Sequence, residues 1–163
     1  MNILVVYDSV FGNTEKVAQS IGQAIGTVLD LQEHIETLPV RQATAEKLLE
    51  LNLLIVGSPT RSFRPTEAIS KLLNTLSKKH LTGVQVAAFD TRIVLDTIDS
   101  SVLRFIVDKG GYAANTIAKS LEKKGGKLLA PPEGFFVTGE QGPLKDGELE
   151  RATDWAKQIV ATL

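Results

Sequence analysis

The chain has 163 residues, 43% of them hydrophobic, which is enough for one domain with an adequate core. Its net charge of −1 and its pI near 6.1 argue against a general binder of nucleic acid or anionic membranes, because such proteins need a basic surface. The absence of cysteine excludes disulfides, thiolate metal sites and cysteine nucleophiles. The first strand is predicted to begin at Asn2, and no apolar run approaches ~18 residues, so we expect a cytoplasmic protein without a signal peptide or membrane insertion.

The first 28 residues predict a strand, a tight turn and a helix. Residues 3–7 read ILVVY, an apolar run typical of a buried strand, and apolar residues recur at helical spacing from Val17 to Val28. The turn between them, residues 9–14, reads SVFGNT. Because the first turn of a helix has unpaired N–H groups and partial positive charge, this turn is a candidate phosphate site. It contains no Lys or Arg, so amides and the hydroxyls of Ser9 and Thr14 would bind the anion.

The rest of the chain alternates between predicted strands and helices. Period-two alternation predicts an edge strand over residues 29–36, and apolar runs predict three further strands, at 53–57, at 84–89 and at 128–137 with a break at Pro131 and Pro132. Helices are predicted after Thr44 with Leu48 and Leu49 buried, after Thr66, after Tyr112, from about Asp146 with Leu149 buried, and as a short amphipathic segment within 93–109. The alternation predicts an α/β fold with a doubly wound, five-stranded parallel sheet in the order 2-1-3-4-5.

Three unusual loops follow strands that adjoin the switch point of this order. They are residues 8–14, 58–65 and 90–92, after strands one, three and four. Ligands of open α/β sheets bind beyond the carboxyl ends of the strands at such a point. We therefore expect the three loops to converge on one crevice.

The Ser-x-x-Gly-Asn-Thr spacing of residues 9–14 resembles the phosphate loop of the flavodoxin family, with Phe11 where that family usually has Thr. Residues 134–150 are similar to the closing segment of small flavodoxin-like proteins, so the resemblance covers nearly the whole chain. It implies one flavodoxin-like domain of the short-chain form, one non-covalently bound FMN, and electron transfer to redox partner proteins or to a small electron acceptor.

The resemblance also implies three groups of flavin-binding residues. The phosphate group would be bound by Ser9, Val10, Phe11, Gly12, Asn13 and Thr14. One side of the isoalloxazine would be lined by Pro59, Thr60, Arg61, Ser62 and Phe63, and its pyrimidine edge or other side by Asp90, Thr91, Arg92 and Tyr112. Flavodoxins usually cover the ring with Trp and Tyr from these loops. Here Phe63 and Tyr112 are the substitutes by position, whereas Trp155, on the last predicted helix, is expected to pack in the core.

Three functions are compatible with the sequence. The first is an electron carrier between proteins, and the second is an FMN-dependent reductase that passes hydride from NAD(P)H to a quinone or similar acceptor. The third is a sensor domain that binds flavin weakly. The near-neutral charge and the loop residues Arg61, Arg64 and Arg92 weaken the carrier interpretation, since flavodoxin carriers are typically acidic. The resemblance also implies a backbone flip in the loop after strand three on one-electron reduction, commonly next to a glycine in flavodoxins. Residues 59–65 contain no glycine, so we expect the flip to be hindered, which favours the reductase.

A phosphorylatable receiver domain shares this topology, and Asp8 after the first strand is compatible with it. That chemistry needs an acceptor Asp at the end of strand three, where this chain has Gly57 and Ser58. It also needs a Lys at the end of strand five, and none is evident. The sequence therefore argues against a receiver.

Overall fold

The structure is a computed structural model that describes residues 1–30, 34–94, 101 and 111–163. Its strands are β1 (Ile3–Tyr7), β2 (Ile35–Pro39), β3 (Leu53–Pro59), β4 (Gln85–Ile93), β5 (Lys127–Leu128) and β6 (Glu133–Val137). The helices bounded within the described part are α1 (Asn13–Leu29), α2 (Glu67–Thr75), α3 (Ala113–Lys123) and α4 (Glu148–Ala161). Two short 3₁₀ turns lie between β2 and β3, at Val40–Gln42 and Glu46–Leu48.

The strands form one sheet in which all the pairings between them are parallel. The order is β2-β1-β3-β4-β5, and β6 also pairs with β4, beyond the point where β5 ends. The pair β5 and β6 occupies the place of the single broken strand expected at 128–137, with Pro131 and Pro132 between them. The predicted doubly wound sheet and its order are confirmed.

Two hydrophobic layers cover the two faces of the sheet. Strand residues alternate between the layers because successive side chains on a strand point to opposite faces. On one face α1 and α4 pack against residues that include Ile3, Val5, Ile55, Ala87 and Phe135. On the other face α2 and α3 pack against residues that include Leu4, Val6, Leu54, Val56 and Val86.

Three aromatic rings pack edge to face within the hydrophobic layer covered by α1 and α4. The centroids of Phe89, Phe135 and Trp155 lie 6.0, 6.2 and 6.1 Å apart pairwise. A side chain on Gly57 would collide with the Phe89 ring, since its Cβ would lie 2.0 Å from the Phe89 Cζ atom. Glycine at 57 therefore makes room for this cluster on β3, and the prediction that Trp155 packs in the core is confirmed.

Several local expectations need correction. Leu29 belongs to α1, and β2 begins only at Ile35. Leu49 and Leu149 are 57% and 37% exposed rather than buried, because the segment after Thr44 is a single 3₁₀ turn and Leu149 lies on the outer side of α4. The helix predicted within 93–109 lies mostly outside the described residues. Within the described residues, no helix combines the length and apolarity needed to cross a bilayer.

The prediction of a loop at residues 90–92 is also wrong. This segment belongs to β4, which continues to Ile93. Its backbone pairs with β6 from Phe89 opposite Glu133 to Ile93 opposite Val137. The sequence did not reveal this extension because polar Asp90, Thr91 and Arg92 do not look like a central strand.

Candidate functional site

The turn between β1 and α1 is organised by two side chains that precede the helix. The Asp8 carboxylate accepts a hydrogen bond from the Ser9 N–H at 3.0 Å. The Ser9 hydroxyl oxygen accepts from the N–H groups of Gly12 and Glu15 at 3.0 and 3.3 Å. Gly12 lies immediately before the helix with φ of 91°, a conformation that glycine adopts at little cost. Ser9 therefore holds the turn closed while its own O–H remains able to donate.

Four backbone N–H groups of this turn have no hydrogen-bond partner within the described part of the chain. They belong to Val10, Phe11, Asn13 and Thr14. Two of them are the first N–H groups of α1, where the helix dipole is positive. The turn thus provides a set of donors for an anion without using a cationic side chain, as the sequence predicts.

The buried hydroxyl of Thr14 connects this turn to β4. Its Oγ1 lies 2.8 Å from Oγ1 of Thr91, and the two residues are 1% and 4% exposed. The Thr91 carbonyl in turn accepts from the N–H of Thr60 at 2.9 Å, just after β3. The carboxyl ends of β1, β3 and β4 are therefore tied together by direct hydrogen bonds.

The chain after β3 forms a two-residue hairpin turn. The N–H of Arg61 donates to the Arg64 carbonyl and the N–H of Arg64 to the Arg61 carbonyl, each at 2.9 Å. Ser62 and Phe63 between them have φ of 47° and 65°. Positive φ at both central residues is the pattern of a type I′ turn, which usually contains Asn or Gly. Here neither residue is present.

These elements surround a cleft of about 330 Å³, a volume within the usual range for small-molecule sites. Eleven of the fifteen predicted site residues line it: Ser9, Val10, Phe11, Asn13, Thr14, Pro59, Thr60, Arg61, Ser62, Thr91 and Arg92. The Arg61 guanidinium lies 5.7 Å from the centre of the Phe11 ring, so the first loop and the hairpin turn approach each other there.

Three further residues line the cleft that the sequence argument missed: Ile93, Val137 and Glu140. Ile93 and Val137 are paired at the carboxyl ends of β4 and β6. Only the correct extent of β4 and β6 would have identified them. Asn13 also contacts the loop of Glu140, because its Nδ2 donates to the Gln141 carbonyl at 3.1 Å.

The remaining four predicted residues lie elsewhere. Gly12 belongs to the turn itself. Asp90 is fully buried and accepts from Nε and Nη2 of Arg92 and from the Ala114 N–H at 2.7, 2.8 and 2.9 Å. Burial raises the pKa of the Asp90 carboxyl, and these donors act in the opposite direction. The Tyr112 ring lies against the Arg92 guanidinium at 3.5 Å, and Phe63 lines a separate depression next to α2.

No protein-family model matches the chain, and no curated protein matches it. Solved structures do match over its full length. Oxidised flavodoxin 1 from Bacillus cereus superposes with a TM-score of 0.76 at 18% identity, covering 100% of this chain and 99% of that one. A flavodoxin from the domain Archaea gives 0.73 at 20% identity, covering 99% and 97%. A flavodoxin, WrbA-like protein from Agrobacterium tumefaciens gives 0.70 at 17% identity, covering 99% and 96%.

These similarities define the class of architecture. The chain has the flavodoxin-like fold, with its candidate cleft at the switch point between β1 and β3. At these identities the comparison establishes the fold alone. A shared fold does not define the function of the site, which depends on the residues that line it.

Proposed function

We propose that this chain binds one FMN non-covalently in the cleft and exchanges electrons through it. The observation that carries the proposal is the set of four N–H groups, two in the turn and two at the start of α1, that have no partner among the described residues and face a cleft at the switch point of the sheet. Such groups favour a phosphate, and FMN has one at the end of a planar redox-active ring. When bound, FMN supplies one- and two-electron chemistry that no side chain of this protein can supply.

The donors present fit this group. The N–H groups of residues 10, 11, 13 and 14 and the hydroxyls of Ser9 and Thr14 would hold the phosphate. The residues from Pro59 to Ser62 and from Thr91 to Ile93 would flank the ring. Asp90 and Tyr112 would act through Arg92, which both of them contact, and Gly12 through the shape of the turn. Phe63 lines another depression, so the proposal gives it no contact with the ring.

The test is a titration of the purified protein with FMN and with riboflavin, followed by flavin fluorescence. Asn13→Asp places a carboxylate at the phosphate end of the cleft, where an acid at the start of α1 is favourable to the helix, and it also removes the hydrogen bond from Nδ2 to the Gln141 carbonyl. Charges roughly 4–8 Å apart interact by about 2–4 kcal/mol at an effective dielectric constant of about 20, so FMN affinity should fall more than tenfold. Riboflavin affinity should barely change.

Asn74→Asp is the matched control, since Asn74 is exposed in the last turn of α2. It makes the same chemical change away from the cleft and should leave FMN affinity within twofold. If wild-type protein binds riboflavin as tightly as FMN, the phosphate assignment is wrong. If it binds neither, the proposed function is wrong.

A second candidate is the NAD(P)H-dependent reductase, which the near-neutral charge and the exposed cleft residue Arg61 favour. The absence of glycine from residues 59–65 gives the reductase only limited support, because Ser62 and Phe63 already have positive φ. We therefore place electron exchange with protein partners first. An assay of NADPH oxidation by the FMN-loaded protein, with and without a quinone, separates the two candidates.

A further inference from the structure

Exposed apolar side chains cluster at the mouth of the cleft. Of the large hydrophobic residues exposed in the described part of the chain, Val10, Phe11 and Ile93 line the cleft, with 50%, 43% and 40% of their surface accessible. Arg61 of the hairpin turn lies over the Phe11 ring, and Arg64, opposite Arg61 in the same turn, lines the adjoining depression with Phe63; both arginines are exposed. We call Val10, Phe11, Ile93 and these two arginines the cleft rim. Exposed aromatic and aliphatic groups next to arginines are the composition of a protein-binding surface.

The hairpin holds the two arginines of the rim side by side, and this arrangement costs free energy. They are directly opposite each other in the hairpin, and like charges at such positions repel. Neither guanidinium has a carboxylate partner among the described residues. The turn that joins them places two non-glycine residues at positive φ, which also costs free energy. Backbone strain of this kind is concentrated at functional sites, so the hairpin is a candidate for a functional role.

Carboxylates on the adjoining elements of the described part do not neutralise this pair. Glu15 accepts hydrogen bonds from the Tyr7 hydroxyl and from Gln19, and Glu67 pairs with Lys71 at 3.2 Å. Glu140 lines the other part of the cleft. Among the described residues, the hairpin side of the rim therefore presents two positive charges without a carboxylate partner, beside an apolar patch.

We propose that the cleft rim docks an acidic redox protein, one that presents carboxylates around its own exposed redox centre. This inference rests on the proposed function and adds the chemical class of the partner. The carboxylates would pair with Arg61 and Arg64, and the apolar rim would exclude water from the contact. Each encounter would move one electron between the partner's centre and the bound FMN, so that the donor is oxidised by losing the electron that reduces the acceptor.

The test uses FMN-loaded protein and two redox proteins of opposite charge: an acidic plant-type [2Fe–2S] ferredoxin and a basic c-type cytochrome. Calorimetry gives the affinity of each probe, and stopped-flow absorbance gives the rate of electron exchange, both from low to high salt. We expect affinity and rate for the ferredoxin to fall as salt rises, because exposed opposite charges steer association. We expect the cytochrome to bind more weakly than the ferredoxin at low salt.

Arg64→Gln and the double variant Arg61→Gln/Arg64→Gln provide the decisive comparison. Arg64 does not line the cleft, so its replacement tests docking apart from FMN binding. We expect the low-salt ferredoxin affinity to fall on the order of threefold in the single variant and tenfold in the double variant. Lys119→Gln/Lys123→Gln removes the same net charge from exposed positions on α3 and should change it less than twofold.

FMN affinity is measured for every variant, which separates a failure of docking from a failure of the proposed function. If FMN binds but ferredoxin association is independent of salt, or falls equally in the α3 control, the docking proposal is wrong. A preference for the cytochrome would also overturn it. So would self-association of the protein through this surface, or a rise in the KM for NADPH in the arginine variants without an effect on ferredoxin.

Discussion

The guanidinium of Arg92 forms a bidentate ion pair with the carboxylate of Asp90, with Nε–Oδ1 and Nη2–Oδ2 distances of 2.7 and 2.8 Å. The two residues are two apart on β4 and therefore share a face of the sheet. The Tyr112 ring covers the guanidinium. The charge of Arg92 is thus balanced inside the protein, although Arg92 also lines the cleft.

The first prediction is that replacing Arg92 lowers the unfolding free energy more than replacing Asp90 does. Asp90 is 0% exposed, whereas the Arg92 side chain keeps 15% of its surface in solvent. Arg92→Gln leaves a buried carboxylate without its cation, and breaking such a pair typically costs about 3–5 kcal/mol. Asp90→Asn should cost less, because the freed guanidinium can reach water and the amide oxygen can still accept from Ala114. Urea unfolding measures both. Equal losses of unfolding free energy in the two variants would contradict this prediction. So would a double variant whose loss equals the sum of the two single losses, because residues in contact are expected to be non-additive.

The second prediction concerns the reduction potential of the bound flavin. Arg61 lines the cleft without a carboxylate partner in the described part, so its charge favours the anionic reduced flavin. Arg61→Gln should lower the two-electron potential by tens of millivolts, on the order expected for one screened charge. Arg64→Gln, outside the cleft, should change it less. Potentiometric titration of the FMN-loaded variants decides this, and an unchanged potential in Arg61→Gln would mean that its charge is fully screened.

The third prediction concerns the buried hydroxyl pair between Thr14 and Thr91. Thr91→Val keeps the shape of the side chain but leaves the Thr14 hydroxyl without its partner. An unpaired buried polar group costs about 1–3 kcal/mol, so both unfolding free energy and FMN affinity should fall. Thr91→Ser keeps the hydroxyl and should retain most of the affinity, even if it loses some packing. If Val and Ser weaken FMN binding equally, the hydroxyl does not orient Thr14.

The sequence predicted the sheet order and the position of the cleft for physical reasons that the structure makes plain. Parallel strands bury both faces, so 53–57 had to be apolar throughout, and the polar turns had to fall at their carboxyl ends. The extension of β4 through Asp90 and Arg92 could not be predicted from an apolar pattern. Those polar side chains satisfy each other, and such pairing does not follow from periodicity.

The hairpin at residues 61–64 was equally hidden from the sequence. Type I′ turns are recognised by Asn or Gly, and this turn has Ser62 and Phe63 instead. The loop at residues 58–65 follows from the sequence, but the left-handed conformation of Ser62 and Phe63 within it does not. The predicted hindrance of a backbone flip therefore stays a prediction. Its premise is that residues other than glycine adopt positive φ at a cost, and Ser62 and Phe63 adopt it here.

The fourth prediction is a pH dependence set by Glu148 at the start of α4. Burial of this carboxyl opposes its ionisation, but Arg151 and the N–H of Phe136, which donates to it at 2.7 Å, outweigh that effect and hold the pKa below its ordinary value. A lowered pKa in the folded state stabilises the protein above the unfolded pKa of about 4.3, and this stabilisation is lost as the pH falls further. Glu148→Gln should therefore lower the unfolding free energy by about 1–3 kcal/mol at pH 7.

The difference between wild type and Glu148→Gln should shrink as the pH falls below about 4.3, where the unfolded chain begins to take up the proton. Glu150→Gln is the control, because Glu150 lies in the same first turn but is exposed. It should show a small effect at both pH values. A Glu148→Gln deficit that stays constant from pH 7 to the acid transition would show that shape, and not charge, makes Glu148 important.

The fifth prediction tests the strained turn that carries the arginines of the rim. Ser62 is exposed and has φ of 47°, a conformation that Asn tolerates well and that a β-branched residue adopts only with strain. Ser62→Asn should therefore raise the unfolding free energy by up to about 1 kcal/mol, whereas Ser62→Val should lower it by about 1–2 kcal/mol. The same two changes at Ser77, which is exposed and lacks positive φ, should differ from each other by much less. Thermal or urea unfolding gives all four values. If Asn and Val are equivalent at position 62, the left-handed turn is not the stable conformation of this loop, and Arg61 and Arg64 are not held side by side.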